Sequence, residues 1–167
     1  MKQLFLAIVI IVTYVLQITL MPEIAVFGVS PNLILIIVCS IAFLFGGTSG
    51  GIVGFCCGIL LDLYYGRSIG LNALLYLYVG AVLGNFNKRI FKDNYLVILI
   101  FMIFTTYIYE LIIYVYSVII YSQNFSFLSC IINSSLLVVV NTILSLFIYP
   151  VLLRINLNLE LDRSIFK

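Results

Sequence analysis

Apolar residues fall in six runs along the chain, at about 3–21, 31–45, 48–65, 69–86, 95–121 and 128–153. Short polar or glycine-rich breaks separate them. A helix needs on the order of 20 apolar residues to cross a ~30 Å hydrocarbon core. The first, fifth and sixth runs reach that length, whereas the second to fourth are shorter and rich in glycine. The pattern predicts an all-α integral membrane protein, a single polytopic membrane domain spanning residues 1–167.

Hydropathy alone leaves open whether residues 31–86 form two helices or three, and charge decides between these. With six spans and a cytoplasmic start, Lys2, Lys88, Arg89, Lys92, Arg154, Arg163 and Lys167 all fall inside, and only Arg67 falls outside. Seven basic residues against one is what the positive-inside rule requires. Fusing residues 31–65 into one span would move Lys88, Arg89 and Lys92 outside. The expectation is therefore six transmembrane helices with both termini cytoplasmic. Gly46-Gly47-Thr48-Ser49-Gly50 makes a tight inner turn, tolerable at membrane depth only where protein covers it. The first run is too long for a signal-peptide core and no small-x-small cleavage site follows, so it reads as an uncleaved span.

After Pro150 the apolar residues alternate through Ile155, Leu157, Leu159 and Leu161. That is a strand-like period. It predicts a short interfacial tail or a strand docked on a partner.

Composition sharpens this reading. Hydrophobic residues make up 65% of the chain and charged ones 8%, against about a quarter charged in a soluble domain. Too few charges remain to clothe a water-facing surface. With a net charge of +2 spread over separate loops, nucleic-acid binding has no support. The sequence lacks histidine, the commonest general base and transition-metal ligand. Cys39, Cys56, Cys57 and Cys130 lie inside apolar runs without Cys-x-x-Cys spacing, so they read as small packing residues. The sequence contains no Walker motif, triad or metal-ligand cluster. No catalytic, cofactor-binding or metal residue is expected.

The polar and small residues inside the runs are the candidate functional positions. Gly50, Gly54 and Gly58 recur every four residues and Asp62 continues the row. Asn72, Tyr76, Gly80 and Gly84 form a second such row. Smooth stripes of this kind let helices approach closely, either within one bundle or against a partner's helix. Asp62 reads as an ion-pair partner of Arg67 or a loop anchor, with gating or partner recognition as the alternative. Glu110 sits more than halfway along the fifth run. A charge at that depth costs at least ~2.5 kcal/mol on insertion scales. Three roles are open to it: a polar lock of the bundle, with Tyr107 and Tyr114 on its face; a partner or substrate contact; or proton coupling. Thr13 and Gln17, and Ser134, Asn141 and Ser145, are placed for interhelical hydrogen bonds.

These residues resemble a known family. Pro31-Asn32-Leu33 opens the second span. The run from Gly54 through Cys56-Cys57-Gly58 to Asp62 follows, then Gly70-Leu71-Asn72-Ala73-Leu74-Leu75-Tyr76 leading to Gly80. A basic loop, a glutamate in span five and a late proline complete the order. This is similar to the rod shape-determining MreD family, most specifically over residues 31–84. The resemblance implies a fold like the six-helix substrate-binding components of energy-coupling-factor transporters. It also implies a non-enzymatic role in cell-wall elongation at the bacterial cytoplasmic membrane. The implied partners are a single-span MreC-like protein, an MreB-like cytoskeleton and a RodA–transpeptidase pair. From the family pattern, Gly54, Gly58, Asp62, Gly70, Asn72 and Tyr76 carry over as structural or interface positions. The competing function is a small-molecule-binding transporter subunit, with Asp62, Arg67, Asn72 and tyrosines lining an outward cavity. A third is a proton- or ion-coupled subunit relying on Glu110.

Overall fold

Six helices follow one another in the computed structural model: α1 (Lys2–Thr19), α2 (Leu33–Phe45), α3 (Gly47–Tyr65), α4 (Leu71–Phe86), α5 (Tyr95–Tyr121) and α6 (Phe127–Ile165). The structure describes residues 2–26, 28–65, 70–86, 95–121 and 127–165. Three helices, α3, α5 and α6, are long and apolar enough to cross a membrane, and α1, α2 and α4 are apolar but shorter. The six runs of the sequence thus correspond to six separate helices.

The organising element is α2. Twelve of its thirteen residues are buried, eight of them without any exposed surface. A helix apolar on every side is stable only when neighbours cover every side. Here α1, α3, α4, α5 and α6 all pack against it. At about 1.5 Å per residue, α2 is only about 20 Å long. Its start lies level with Asn141, well inside α6, because the Asn32 N–H donates to the Asn141 side chain.

Between α2 and α3 the turn is tighter than the five-residue turn expected from the glycines. Only Gly46 leaves the helical conformation, and α3 begins at Gly47. Gly46 has φ 90° and ψ 167°, a region open to glycine alone. One such residue reverses the chain and lays Gly50 on Ala42, where a Cβ on Gly50 would lie 2.6 Å from the Ala42 Cβ.

The two rows of small residues face each other. Gly84 meets Gly47, Gly80 meets Gly50 and Gly51, Gly54 meets Tyr76, and Gly58 meets Ala73, so α3 and α4 run antiparallel. A Cβ on Gly58 would sit 2.5 Å from the Ala73 Cα, and one on Gly47 would sit 2.8 Å from the Ala81 carbonyl oxygen. The obstacles are backbone atoms, which cannot rotate away. Small-residue stripes make interfaces of this kind between membrane helices because backbone contact replaces side-chain interdigitation. The α5–α6 hairpin packs by larger groups, with Tyr114 against Phe127 and the Tyr107 hydroxyl 3.0 Å from that of Ser135.

The segment after Pro150 corrects the strand-like expectation, because α6 continues as helix to Ile165. Tyr149, Leu152, Leu153 and Asn156 are buried on one face, which is the i, i+3, i+4, i+7 spacing of a helix. The alternation at Ile155–Leu161 is overridden because the preceding helix supplies the nucleus and propagation adds one bond per residue. Pro150 removes the hydrogen bond to the Leu146 carbonyl but does not end the helix.

The α3–α4 contact yields a stability prediction. Gly58→Ala and Gly80→Ala should each lower stability by about 1–3 kcal/mol, as overpacking against rigid backbone does. Gly46→Ala should cost a similar amount through backbone strain alone. Val82→Ala, on the exposed side of α4, should stay within about 0.5 kcal/mol. Equilibrium unfolding in detergent checks all four.

Candidate functional site

Helix α2 starts inside the bundle, so its first amide N–H groups have neither an intrahelical partner nor bulk water. Side chains from two sources satisfy them. Gln17 of α1 accepts from the Leu33 N–H at 2.7 Å and the Ile34 N–H at 3.3 Å through Oε1. Its amide donates back to the Pro31 carbonyl at 3.2 Å. Asn32, the N-cap, accepts from the Leu35 N–H at 2.9 Å, and its carbonyl takes the Ile36 N–H at 3.2 Å. Asparagine is among the best N-cap residues because its short side chain reaches back to these donors.

At the start of α4 the same problem is solved by an acid from another helix. Asp62 of α3 is only 2% exposed. Its carboxylate accepts from the Gly70 N–H at 2.9 Å, the Asn72 N–H at 3.3 Å, the Ala73 N–H at 3.2 Å and the Asn72 side-chain amide at 2.7 Å. Four donors converge on two oxygens at the positive end of the α4 dipole, where a negative charge is stabilised. Asp62 is thus a loop anchor. Its expected pairing with Arg67 lies outside the described residues. Gly70 takes φ 101° to present its N–H to Asp62, a backbone conformation that favours glycine.

These two caps belong to one network. Because the Asn72 amide donates to Asp62, its Oδ1 is left as an acceptor, and the Tyr109 hydroxyl donates to it at 2.6 Å. The Tyr76 hydroxyl donates to Tyr109 at 3.0 Å, and the Asn32 amide donates to Tyr76 at 2.9 Å. The direction of every bond from Asn32 to Asp62 follows from the carboxylate at its end. Aligned bonds of this kind polarise one another in a low-dielectric interior. The Tyr76 and Tyr109 rings stack at 5.2 Å with a 9° interplanar angle. Asn141 of α6 accepts from the Asn32 N–H at 2.9 Å and donates to Thr106 of α5 at 3.4 Å. All six helices contribute a group.

The candidate residues thus separate. Asp62, Gly70, Asn72 and Tyr76 meet at this network, while Gly50, Gly54 and Gly58 lie along α3 with their small faces covered by α2 or α4. No space remains beside these glycines for another helix. Ser134 and Ser145 are buried on α6 but take local partners, Cys130 and the Thr142 carbonyl. Sequence reasoning missed Asn32 and Tyr109 as hubs. Asn32 carried a signal, since an asparagine before an apolar helix is an N-cap pattern. Tyr109 carried none beyond its place beside Glu110.

Beside the network is a cavity of about 270 Å³. Gln17, Asn32, Tyr76 and Tyr109 line it, together with Glu110, Leu61, Ile113 and Leu137. Glu110 is half-buried. Among the described residues no hydrogen bond or ion pair reaches its carboxylate. The Tyr107 hydroxyl, one of the two expected on its face, is engaged with Ser135. The α5 side chain that ties the bundle is the adjacent Tyr109.

Comparison with known families adds one finding. The model of the rod shape-determining protein MreD family matches residues 1–155 of the 167-residue chain. No curated protein and no solved structure matches it.

The network predicts unequal costs for small changes. Asp62→Asn places an amide among four donors and should cost about 2–3 kcal/mol, the scale of hydrogen bonds to a charged group. Tyr109→Phe leaves the Asn72 Oδ1 without its donor and should cost about 1–3 kcal/mol. Tyr107→Phe, whose bond to Ser135 is exposed, should cost under about 1 kcal/mol. Thermal unfolding of the purified variants ranks them.

Proposed function

The chain belongs to the rod shape-determining protein MreD family, and from that premise we propose a non-enzymatic membrane scaffold of the bacterial cell-wall elongation machinery. The observation that carries the reading is the family match over residues 1–155. In this reading all six helices cross the cytoplasmic membrane and both termini lie in the cytoplasm. Seven basic residues against one favour that orientation. The caps favour it as well. Short helices are tolerated in a bilayer when their open N–H groups are satisfied by protein, and both α2 and α4 are so satisfied. We extend the reading to a likeness of fold with the substrate-binding components of energy-coupling-factor transporters.

The partner in this proposal is a single-span MreC-like protein, whose helix lies against the outer apolar surface. Lipid tails are as apolar as leucine, so such contacts depend on shape and packing and not on the hydrophobic effect. The internal glycine rows are taken up by α3–α4 and α2–α3 packing. The partner's helix therefore rests on another face. The MreB-like cytoskeleton and the RodA–transpeptidase pair are reached directly or through that protein.

Two measurements test the proposal. Depletion in a rod-shaped bacterium that depends on the protein should give round cells, and re-expression should restore rods. An MreC-like protein should co-purify with the full chain from crosslinked membranes. Retained rod shape after depletion, together with no such co-purification, would remove the reading. Cysteine labelling tests the orientation separately: a probe at residue 88 should react only after permeabilisation, and one at residue 124 should react in intact cells.

A further inference from the structure

We propose that the cavity beside the polar network is a binding site for a small organic cation, a protonated amine or guanidinium on a short alkyl stem, held by Glu110. Most polar groups that line it are already engaged, and the Ser30 and Tyr65 hydroxyls, which also line it, carry no charge. The Tyr76 and Tyr109 hydroxyls each donate one hydrogen bond and accept one within the network. The Gln17 Oε1 is spent on two α2 amides. Asn72 is spent on Asp62 and Tyr109. Asp62 is itself enclosed and saturated. Of the charged residues in the described structure, only Glu110 lines the cavity, and no described residue pairs with it. The one enclosed side-chain polar atom without a partner among the described residues is Thr142 Oγ1. The Glu110 oxygens are therefore not sealed into the bundle, and Glu110 forms part of the wall of this cavity.

A carboxylate in such a place attracts a cation strongly, because the low local dielectric weakens screening. It also rejects neutral molecules, which would displace water and leave the charge unpaired. Leu61, Ile113 and Leu137 offer apolar wall to an alkyl stem. The volume, about 270 Å³, falls just below that of small-molecule pockets, which run from about 300 to 1,000 Å³. It suits a group the size of an amino-acid side chain or a lipid amine headgroup. The described walls carry no cation to receive a phosphate or carboxylate, so the recognised part is the cationic group alone. This site stands apart from the scaffold reading, which survives its failure.

The test uses the full-length protein with n-butylammonium and n-butylguanidinium as probes, and 1-butanol as the neutral control. In detergent, both cations should raise the unfolding midpoint by several degrees, and 1-butanol should not. In Glu110→Gln the affinity should fall at least about tenfold. Ile113→Trp fills the cavity and keeps the charge, and it should lose binding too. That variant decides the matter if Glu110→Gln does not fold. Vesicles identify the natural source. Competition by phosphatidylethanolamine but not phosphatidylglycerol assigns a lipid amine, and equal probe binding in both assigns a free cation. The proposal is overturned by no shift with either cation, an equal shift with 1-butanol, or full binding by Glu110→Gln or Ile113→Trp. It is overturned also if binding appears only in Arg67→Gln, since the chain's own guanidinium would then be the resident cation.

Discussion

Two helices of this bundle begin where there is little water, and satisfying their first N–H groups is the constraint on which the rest depends. An unpaired buried amide costs about 1–3 kcal/mol, and each helix start has four. Gln17 and Asn32 meet the need at α2, and Asp62 takes the Gly70, Asn72 and Ala73 N–H groups at α4. Neither helix start is satisfied by its own residues alone. The α2 cap needs α1 in register, and the α4 cap needs α3. Helix placement and helix capping are therefore the same problem, and the Asn32–Tyr76–Tyr109–Asn72–Asp62 chain is its joint solution.

The glycine rows make that solution reachable. Asp62 touches the first turn of α4 because the α3 backbone lies directly on that of α4 along Gly47, Gly50, Gly54 and Gly58. A side chain at Gly47, Gly54 or Gly58 would push the two helices apart and carry the carboxylate away from Gly70 and Ala73. The rows and the acid that ends one of them are thus one device, in which close approach sets the position and the carboxylate fixes the register. Tyr76 belongs to both parts, since its backbone carbonyl lies against Gly54 and its hydroxyl joins the network. The Gly46 reversal adds the third side by laying Gly50 on Ala42 of α2.

Much of this was legible in the sequence, for identifiable reasons. Run lengths and the basic-residue asymmetry separated six helices, because each signal is additive over many residues. The Gly-x-x-x rows announced close packing, but their spacing is the same whether the approaching helix is internal or foreign. Only the pairing of Gly54 with Tyr76 and Gly58 with Ala73 decides that. Asp62 was visible as an acid ending a glycine row and as a loop anchor, yet three of its four donors are backbone amides, and backbone amides have no sequence signature. Tyr109 stood out from the other tyrosines in nothing but its position. The tail misled because alternation over a few residues is weak evidence against a helix already under way, and Leu152, Leu153 and Asn156 supplied a buried helical face that alternation ignores.

The two acids within the apolar runs of α3 and α5 end in opposite conditions, and the contrast is physical. Asp62 receives four N–H donors and a helix dipole, so its charge is spent in holding the fold. Glu110 borders open space with no described donor. A carboxylate kept in an apolar bundle without a structural partner among the described residues is a cost to stability, as charges at membrane depth are. Stability alone would favour a neutral side chain at that position. The fold gains nothing visible from Glu110 in return, since the adjacent Tyr109 already ties α5 to α4. Among the described residues no group offsets the charge of Glu110, and the proposed cation in the cavity supplies what they do not, with the saturated network behind it.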